Sequence, residues 1–191
     1  PIPRRQRQMC IRDSNEDSYG ITQSDYETSG ILVLAALADG MGGLAQGEVA
    51  SRLAVKTVID GLSGQLENIQ NNREGWLVSL VEQANAVVSE KVQNGGTTLS
   101  LVLLESTKMS IAHVGDSRIY FVRDREIRQL SEDHSLVALL VASGQISEAE
   151  SQQHPDRNVL TKSLGAKKRL SQNYVQTVTD IELQDGDVIL L

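Results

Sequence analysis

Ile31-Leu32-Val33-Leu34-Ala35-Ala36-Leu37-Ala38-Asp39-Gly40-Met41-Gly42-Gly43 carries eight apolar residues into an acid and then three glycines within four positions. An apolar run of that length without alternation suits a strand covered on both faces, although periodicity alone leaves a buried helix open. The glycines argue for a strand and a sharp turn, because glycine supplies positive φ angles and close backbone approach. The stretch therefore predicts a buried strand with Asp39 at its tip, a carboxylate fixed where chemistry can use it. The plainer alternative is an Asp-Gly hairpin turn. Two nucleotide readings fail. Gly42 and Gly47 have P-loop spacing, but Glu48 stands where the phosphate-binding lysine should be. Ala45 occupies the third glycine position of the dinucleotide fingerprint.

A chain of 191 residues, 40% of them hydrophobic, predicts a single domain over residues 1–191 with a sizeable core. Aromatics make up only 3%, so that core must be built from Leu, Val, Ile and Ala. With 25 acids against 18 bases the net charge is −7, which argues against a nucleic-acid or anionic-membrane partner. No apolar run reaches the length of a membrane span, so no membrane insertion is expected. The single cysteine, Cys10, excludes an internal disulfide and a structural zinc cluster and suits a reducing, cytoplasmic setting. The chain opens at Pro1 without a methionine and stops inside Val188–Leu191, so a longer domain that continues C-terminally is expected.

Short strands are expected at Met9–Ile11 and Tyr19–Thr22, around the polar turn Arg12–Asp17. A buried helix over Ala45–Leu62 follows, then a polar surface loop over Gln65–Gly75. An amphipathic helix over Trp76–Gln93 should be stopped by Asn94-Gly95-Gly96. Thr98–Leu104, Met109–Val114, Arg118–Val122 and Ile127–Leu130 read as an antiparallel meander. Residues 131–165 change in texture. A short apolar helix, Leu136–Ala142, ends at Gly144, and Ser147 and Glu150 have capping-box spacing. This predicts a helical, mobile excursion from the sheet. Val175–Val178, Ile181–Leu183 and Val188 onward return to strand around a turn at Asp185–Asp187. Two long helices between strands, then a meander, indicate an α+β layered sandwich.

Three acidic turns stand at predicted strand boundaries: Glu16-Asp17, Asp39-Gly40 and Gly115-Asp116. Hard divalent cations take carboxylate and carbonyl oxygens and keep several waters, so such a set suits Mg²⁺ or Mn²⁺. Arg12, beside the first turn, has the planar fork that holds two phosphate oxygens; by itself it could equally be a salt-bridge partner of its neighbours. His113, His134 and His154 read as surface or packing residues.

These motifs together resemble the metal-dependent protein phosphatases, the PPM or type-2C family, in its bacterial form. The resemblance rests on Arg12 with Asn15-Glu16-Asp17, Ala38-Asp39-Gly40-Met41-Gly42-Gly43, Gly95-Gly96-Thr97-Thr98, Val114-Gly115-Asp116-Ser117-Arg118 and Leu130-Ser131-Glu132-Asp133-His134. Asn158–Gly165 and Gly186-Asp187-Val188 continue it in order. It implies a four-layer α/β/β/α sandwich of two central antiparallel sheets flanked by helices. It also implies hydrolysis of phosphoserine and phosphothreonine in protein substrates by a metal-activated water, and a serine/threonine kinase as candidate partner.

By resemblance, Asp39 bridges two Mn²⁺ or Mg²⁺ ions, the Gly40 carbonyl binds one of them, and Glu16 and Asp17 hold metal-bound waters. Arg12 would bind the substrate phosphate and Asp116 would help hold a third, weaker ion. Residues 131–165 would form the flap beside the site. Met41 stands where eukaryotic members commonly carry a histidine, and methionine cannot donate its proton. The family's later Ser-Asp-Gly and Asn-and-Asp motifs would lie beyond Leu191. Their absence from this chain supports a rival reading, a pseudophosphatase that binds a partner without turnover. The presence of Glu16, Asp17, Asp39 and Asp116 together opposes it.

Overall fold

The computed structural model describes residues 15–26, 30–42, 46–62 and 66–191. The strand expected at Met9–Ile11, Cys10 and Arg12 lie outside the described residues. Strand β1 (Asp17–Tyr26) pairs antiparallel with β2 (Gly30–Gly42), and β2 is followed by helix α1 (Gln46–Asp60). Helices α2 (Leu66–Asn71) and α3 (Arg73–Lys91) come next, then strands β3 (Gly95–Thr97), β4 (Leu99–Glu105) and β5 (Lys108–Val114). The hairpin β6 (Tyr120–Arg123) and β7 (Glu126–Gln129) leads into the short helices α4 (Leu136–Ala142) and α5 (Glu148–Ser151). Strands β8 (Gln176–Glu182) and β9 (Val188–Leu190) complete the series.

The larger sheet has the order β1-β2-β4-β5-β8 with β3 joined to β2, and the smaller has the order β7-β6-β9. Every named strand pair is antiparallel. Two packed antiparallel sheets with helices are the layered architecture expected from the sequence.

Strand β2 shows why its apolar run does not alternate. Leu32, Leu34, Ala36 and Ala38 are buried in the cluster shared with α1 and α3. Ala35, on the opposite face, packs into a second cluster with Val102, Met109, Ile111, Ile119 and Phe121, between the two sheets. Helix α3 lays Leu77, Leu80, Val81, Ala84 and Val88 into the first cluster, all at most 1% exposed. Burying each Leu or Val of that stripe contributes roughly 1.5–3 kcal/mol.

The structure corrects five expectations. Asp39 is not at the strand's end, because β2 continues through Gly40, Met41 and Gly42 to pair with Thr97, Gly96 and Gly95. The polar segment 65–75 is not a loop. It forms α2, which buries Ile69 completely, and the start of α3, where the Asn72 side chain accepts the Gly75 N–H at 2.9 Å. A single core isoleucine and an N-cap asparagine outweigh the polarity of the rest.

Gly95 and Gly96 do not cap α3. The helix closes at Val92, whose N–H bonds to Val88, and Asn94 takes the left-handed conformation (φ 58°). The meander is also broken, since after β5 the chain crosses at Gly115–Ile119 from the larger sheet to the smaller. Val175–Leu183 is mostly one strand, β8, with an irregular register opposite Met109 and Ile111 and with Asp180 at φ 60°. Arg73 joins both Glu105 and Asp180, tying the start of α3 to that irregularity. The Ser147–Glu150 capping box forms as expected.

Asn85, 1% exposed in the middle of α3, reaches the irregular segment that follows residues 131–165. Its Nδ2 donates to the Lys167 carbonyl at 2.9 Å, and its Oδ1 accepts the Gly165 N–H at 3.0 Å. Truncation would leave two backbone groups without partners, each worth about 1–3 kcal/mol when buried. Asn85→Ala is expected to lower stability by about 2–4 kcal/mol in urea unfolding. It should also increase protease cleavage near Gly165 more than elsewhere. Uniform cleavage along the chain would show that Asn85 does not anchor this segment.

Candidate active site

Antiparallel pairing alone brings the acidic turns together. The start of β1 lies beside the end of β2, the start of β4 lies there too, and the end of β5 meets the start of β4. The registers are Asp17 opposite Asp39, Gly40 opposite Thr97 and Leu99 opposite Val114. Directly opposed residues of an antiparallel pair project from the same face, so the Asp17 and Asp39 side chains leave the sheet on one side.

The Asp39 backbone is fixed from two directions. Its N–H donates to Thr98 Oγ1 at 2.9 Å, and its carbonyl accepts from Thr97 Oγ1 and from the Thr98 N–H, both at 2.9 Å. Thr98 Oγ1 also lies 2.8 Å from Ser117 Oγ, linking the β2 end to the Gly115–Ser117 loop. Gly40 N–H donates to the Glu16 carbonyl at 3.1 Å. The start of α1 sits so close that a Cβ on Gly40 would fall 2.1 Å from the Gly47 carbonyl oxygen. A Cβ on Gly96 would fall 2.6 Å from the Leu164 carbonyl oxygen. Both close neighbours are backbone, so no rotamer change relieves either contact.

A cleft of about 370 Å³ opens at this convergence, lined by Asp39, Gly40, Met41, Thr98, Asp116, Asn158, Leu160 and Ser163. Asp39, Gly40 and Asp116 are thus brought into one cavity. Asp17, the first residue of β1, and Glu16 just before it do not line the cleft. The Glu16 carboxylate lies against the start of α1, where a Cβ on Gly47 would fall 2.7 Å from it. Arg12 is outside the described residues. Among the described residues no three acidic, histidine or cysteine side chains form a closed cage. Two aspartates and a backbone glycine lining one cleft fit a hard cation that keeps much of its water, and fit poorly a metal wanting nitrogen or sulfur.

Asp116 has no ion-pair partner among the described residues, because Arg118 is committed to Asp133. Arg118 Nε lies 3.0 Å from each Asp133 oxygen, and Nη2 lies 2.6 Å from Oδ2. Burial pushes the Asp116 carboxyl above the usual range, and the charge of Asp133 adds to the shift. A cation in the cleft would relieve both effects.

Sequence reasoning missed the device that holds the Asp116 loop. His113 is fully buried, with Nδ1 2.9 Å from Ser100 Oγ and Nε2 3.0 Å from the Gly115 carbonyl oxygen. His134 accepts the Gly115 N–H on Nδ1 at 3.1 Å, while its backbone N–H donates to the Gly115 carbonyl at 2.8 Å. The two rings stack at 5.3 Å. Gly115, at φ 121°, is thus gripped on both its N–H and its carbonyl. The expectation that these histidines serve packing is correct but incomplete. Leu130–His134 was recognisable as a motif, yet nothing in its composition says that His134 folds back onto residue 115.

This clasp requires the His134 ring to be neutral, because its Nδ1 accepts the Gly115 N–H. Burial, then the charge of Lys162, then His113 hold His134 down to about 4, and burial lowers His113 as well. A histidine whose folded pKa lies below its unfolded value of about 6.5 contributes stability that is fully present above 6.5. That contribution is lost as pH falls through 4, because the unfolded chain binds the proton first. Urea midpoints are expected to fall between pH 6.5 and 4, with a shallower slope in His134→Asn. An unchanged slope in that variant would remove His134 from the linkage.

The model of the Protein phosphatase 2C family matches residues 12–174. The chain is 35% identical over 188 residues to the serine/threonine phosphatase stp of Listeria monocytogenes serotype 4b, covering 95% of this chain and 71% of that protein. It is 34% identical over 161 residues to the protein phosphatase PhpP of Streptococcus pneumoniae serotype 2, covering 81% of this chain and 63% of that protein. The crystal structure of the Mycobacterium tuberculosis serine/threonine phosphatase PstP/Ppp superposes with a TM-score of 0.76 at 29% identity, covering 94% of this chain and 72% of that one. Nothing in these likenesses favours the non-catalytic alternative. With the family's motifs matched along most of its length and its strand ends meeting at an acidic cleft, the chain belongs to the protein phosphatase 2C family and is a metal-dependent serine/threonine phosphatase.

Proposed function

We propose that Asp39, the Gly40 carbonyl and Asp116 form the metal-binding face of the active site, and that Mn²⁺ or Mg²⁺ is the cofactor. The reading is supported above all by the convergence of these three residues on one oxygen-lined cleft. Asp39 faces the site of two ions and Asp116 that of a third, more loosely held. Such ions, when bound, polarise water for attack on phosphorus and neutralise charge on the phosphoryl oxygens.

The chain's own contribution is positional. Thr97 and Thr98 hold the Asp39 backbone, which fixes the point from which its carboxylate enters the cleft. Glu16 and Asp17, at the start of β1, orient water at the edge of the cleft. Arg12 binds the substrate phosphate as a planar two-point donor. Met41 walls the cleft without a transferable proton, so the leaving alkoxide takes its proton from water. The substrates are phosphorylated proteins in the cytoplasm, with a serine/threonine kinase as the opposing partner.

Asp39→Asn is expected to lower turnover of p-nitrophenyl phosphate with Mn²⁺ by roughly a hundredfold or more, the scale of losing one preorganised electrostatic group. Its circular dichroism should stay unchanged. Turnover near the wild-type value would remove Asp39 from the site. Arg12→Ala should raise KM for a phosphothreonine peptide about ten- to a hundredfold, the range for a charged hydrogen bond, with Mn²⁺ affinity retained. The reverse pattern would make Arg12 a structural partner of the acids. Chelation followed by titration with Mn²⁺ and Mg²⁺ separately identifies the cofactor.

Gly40→Ala tests the geometry. The added methyl meets backbone at 2.1 Å, so β2 or α1 must shift. A displacement of about 1 Å at a reacting centre costs about a hundredfold in rate. Activity within threefold of wild type would show that the α1 contact does not set the position of Asp39.

A further inference from the structure

Beyond the cleft, a groove of about 790 Å³ lies between α4 and the segment that returns from it. Ala138, Leu139 and Val141 form one wall, and no residue of α4 is fully buried, although the helix is wholly apolar. Lys162, Lys167 and Tyr174 also line the groove, with each lysine Nζ 5.7 Å from the tyrosine ring centroid. Among the described residues neither lysine forms an ion pair. Arg118 and Asp133, also in the lining, neutralise each other. The remaining acids, Glu132 and Glu148, pair with neither lysine.

The local charge runs against that of the chain. From Arg157 to Thr179 there are five bases and no acid, in a protein of net charge −7. Two of those bases, Lys162 and Lys167, line the groove. The groove and the metal cleft also share a wall. Asn158, Leu160 and Ser163 line the cleft, while Thr161 and Lys162 line the groove. This segment is held by the Ser135–Leu160 bridge, by Thr161 N–H on the His134 carbonyl, and by paired bonds between Leu164 and Thr97.

We propose that this groove receives an acidic segment of the phosphoprotein substrate. A carboxylate side chain sits at Lys162 and Lys167, and an apolar neighbour lies on α4, while the phosphorylated residue occupies the cleft at Asp39. Charge complementarity selects this occupant: two ammonium groups over an aromatic ring lack a carboxylate partner, although Lys162 Nζ also donates to the Asn173 carbonyl at 3.2 Å, and within a basic stretch of an acidic protein they favour a carboxylate arriving with the substrate. The inference rests on the active-site reading above and adds a sequence preference to it.

The test uses the full-length phosphatase with Mn²⁺ and two phosphothreonine peptides that differ only in flanking Asp and Glu against Asn and Gln. The quantity read is the ratio of their kcat/KM values, which cancels any general loss of activity. Wild type should favour the acidic peptide about fivefold, the upper range for an exposed ion pair, mainly through KM and less at high salt. Lys167→Glu should abolish or invert the preference, and Lys167→Arg should retain it.

Equal ratios in wild type and Lys167→Glu would overturn the groove proposal while leaving the phosphatase reading intact. Failure to hydrolyse either peptide or p-nitrophenyl phosphate would instead defeat the active-site reading. A wild type without peptide preference, yet inhibited by a single-stranded oligonucleotide in a Lys167-dependent manner, would reassign the basic stretch to nucleic acid.

Discussion

The contact between Gly40 and Gly47 is the constraint on which the rest of the site depends. Two backbones approach so closely there that neither position accepts a side chain without displacing the other or the Glu16 carboxylate. Everything that makes Asp39 a fixed group follows from that approach. The strand cannot end at Asp39, because the next three residues must run on beside β3 to keep the start of α1 against Gly40. Because the strand runs on, Thr97 comes to lie opposite Gly40, and its hydroxyl and the Thr98 hydroxyl reach the Asp39 peptide group. The Asp39 peptide group is thus held on both its N–H and its carbonyl, which fixes where its side chain leaves the strand.

That logic explains which parts of the molecule were legible in the sequence. The run Ile31–Ala38, the helix stripes and the polar turns identify elements because burial leaves a periodic trace in composition. The convergence of Asp39 and Asp116 was legible as well, since antiparallel pairing of the strands beside them leaves few other arrangements. The resemblance to the phosphatase family added what local pattern could not, namely the role expected of each acid. Residues 65–75 were misread for the complementary reason. One buried isoleucine and one capping asparagine leave almost no periodic trace, yet they suffice to fold two helical starts.

Gly95 and Gly96 illustrate a second kind of illegibility. Glycines after a helix normally signal its end through a positive φ. Here the helix ends by itself at Val92, and the glycines serve close packing instead, against Gln46 and Val92 at one position and the Leu164 carbonyl at the other. Both uses exploit the missing Cβ, so the residue type cannot distinguish them. Only the partner decides, and the partner is more than sixty residues away for Gly96. The same holds for His134, whose grip on Gly115 joins residues nineteen apart through a backbone N–H that no sequence motif encodes.

The segment Asn158–Ser163 has a consequence that neither concavity shows alone. Because it divides two cavities, its residues serve the cleft or the groove according to which way they face. Lys162 thus lines the groove while its neighbours Leu160 and Ser163 line the cleft. The segment is not free to move as a lever, since Leu164 is bonded to Thr97 at one end and Leu160 bridges Ser135 at the other. Thr97 is the residue whose hydroxyl holds the Asp39 carbonyl, and Ser135 follows directly on the histidine that grips Gly115. The wall between the two cavities is thus fastened at both ends to residues that support the Asp39 and Asp116 backbones.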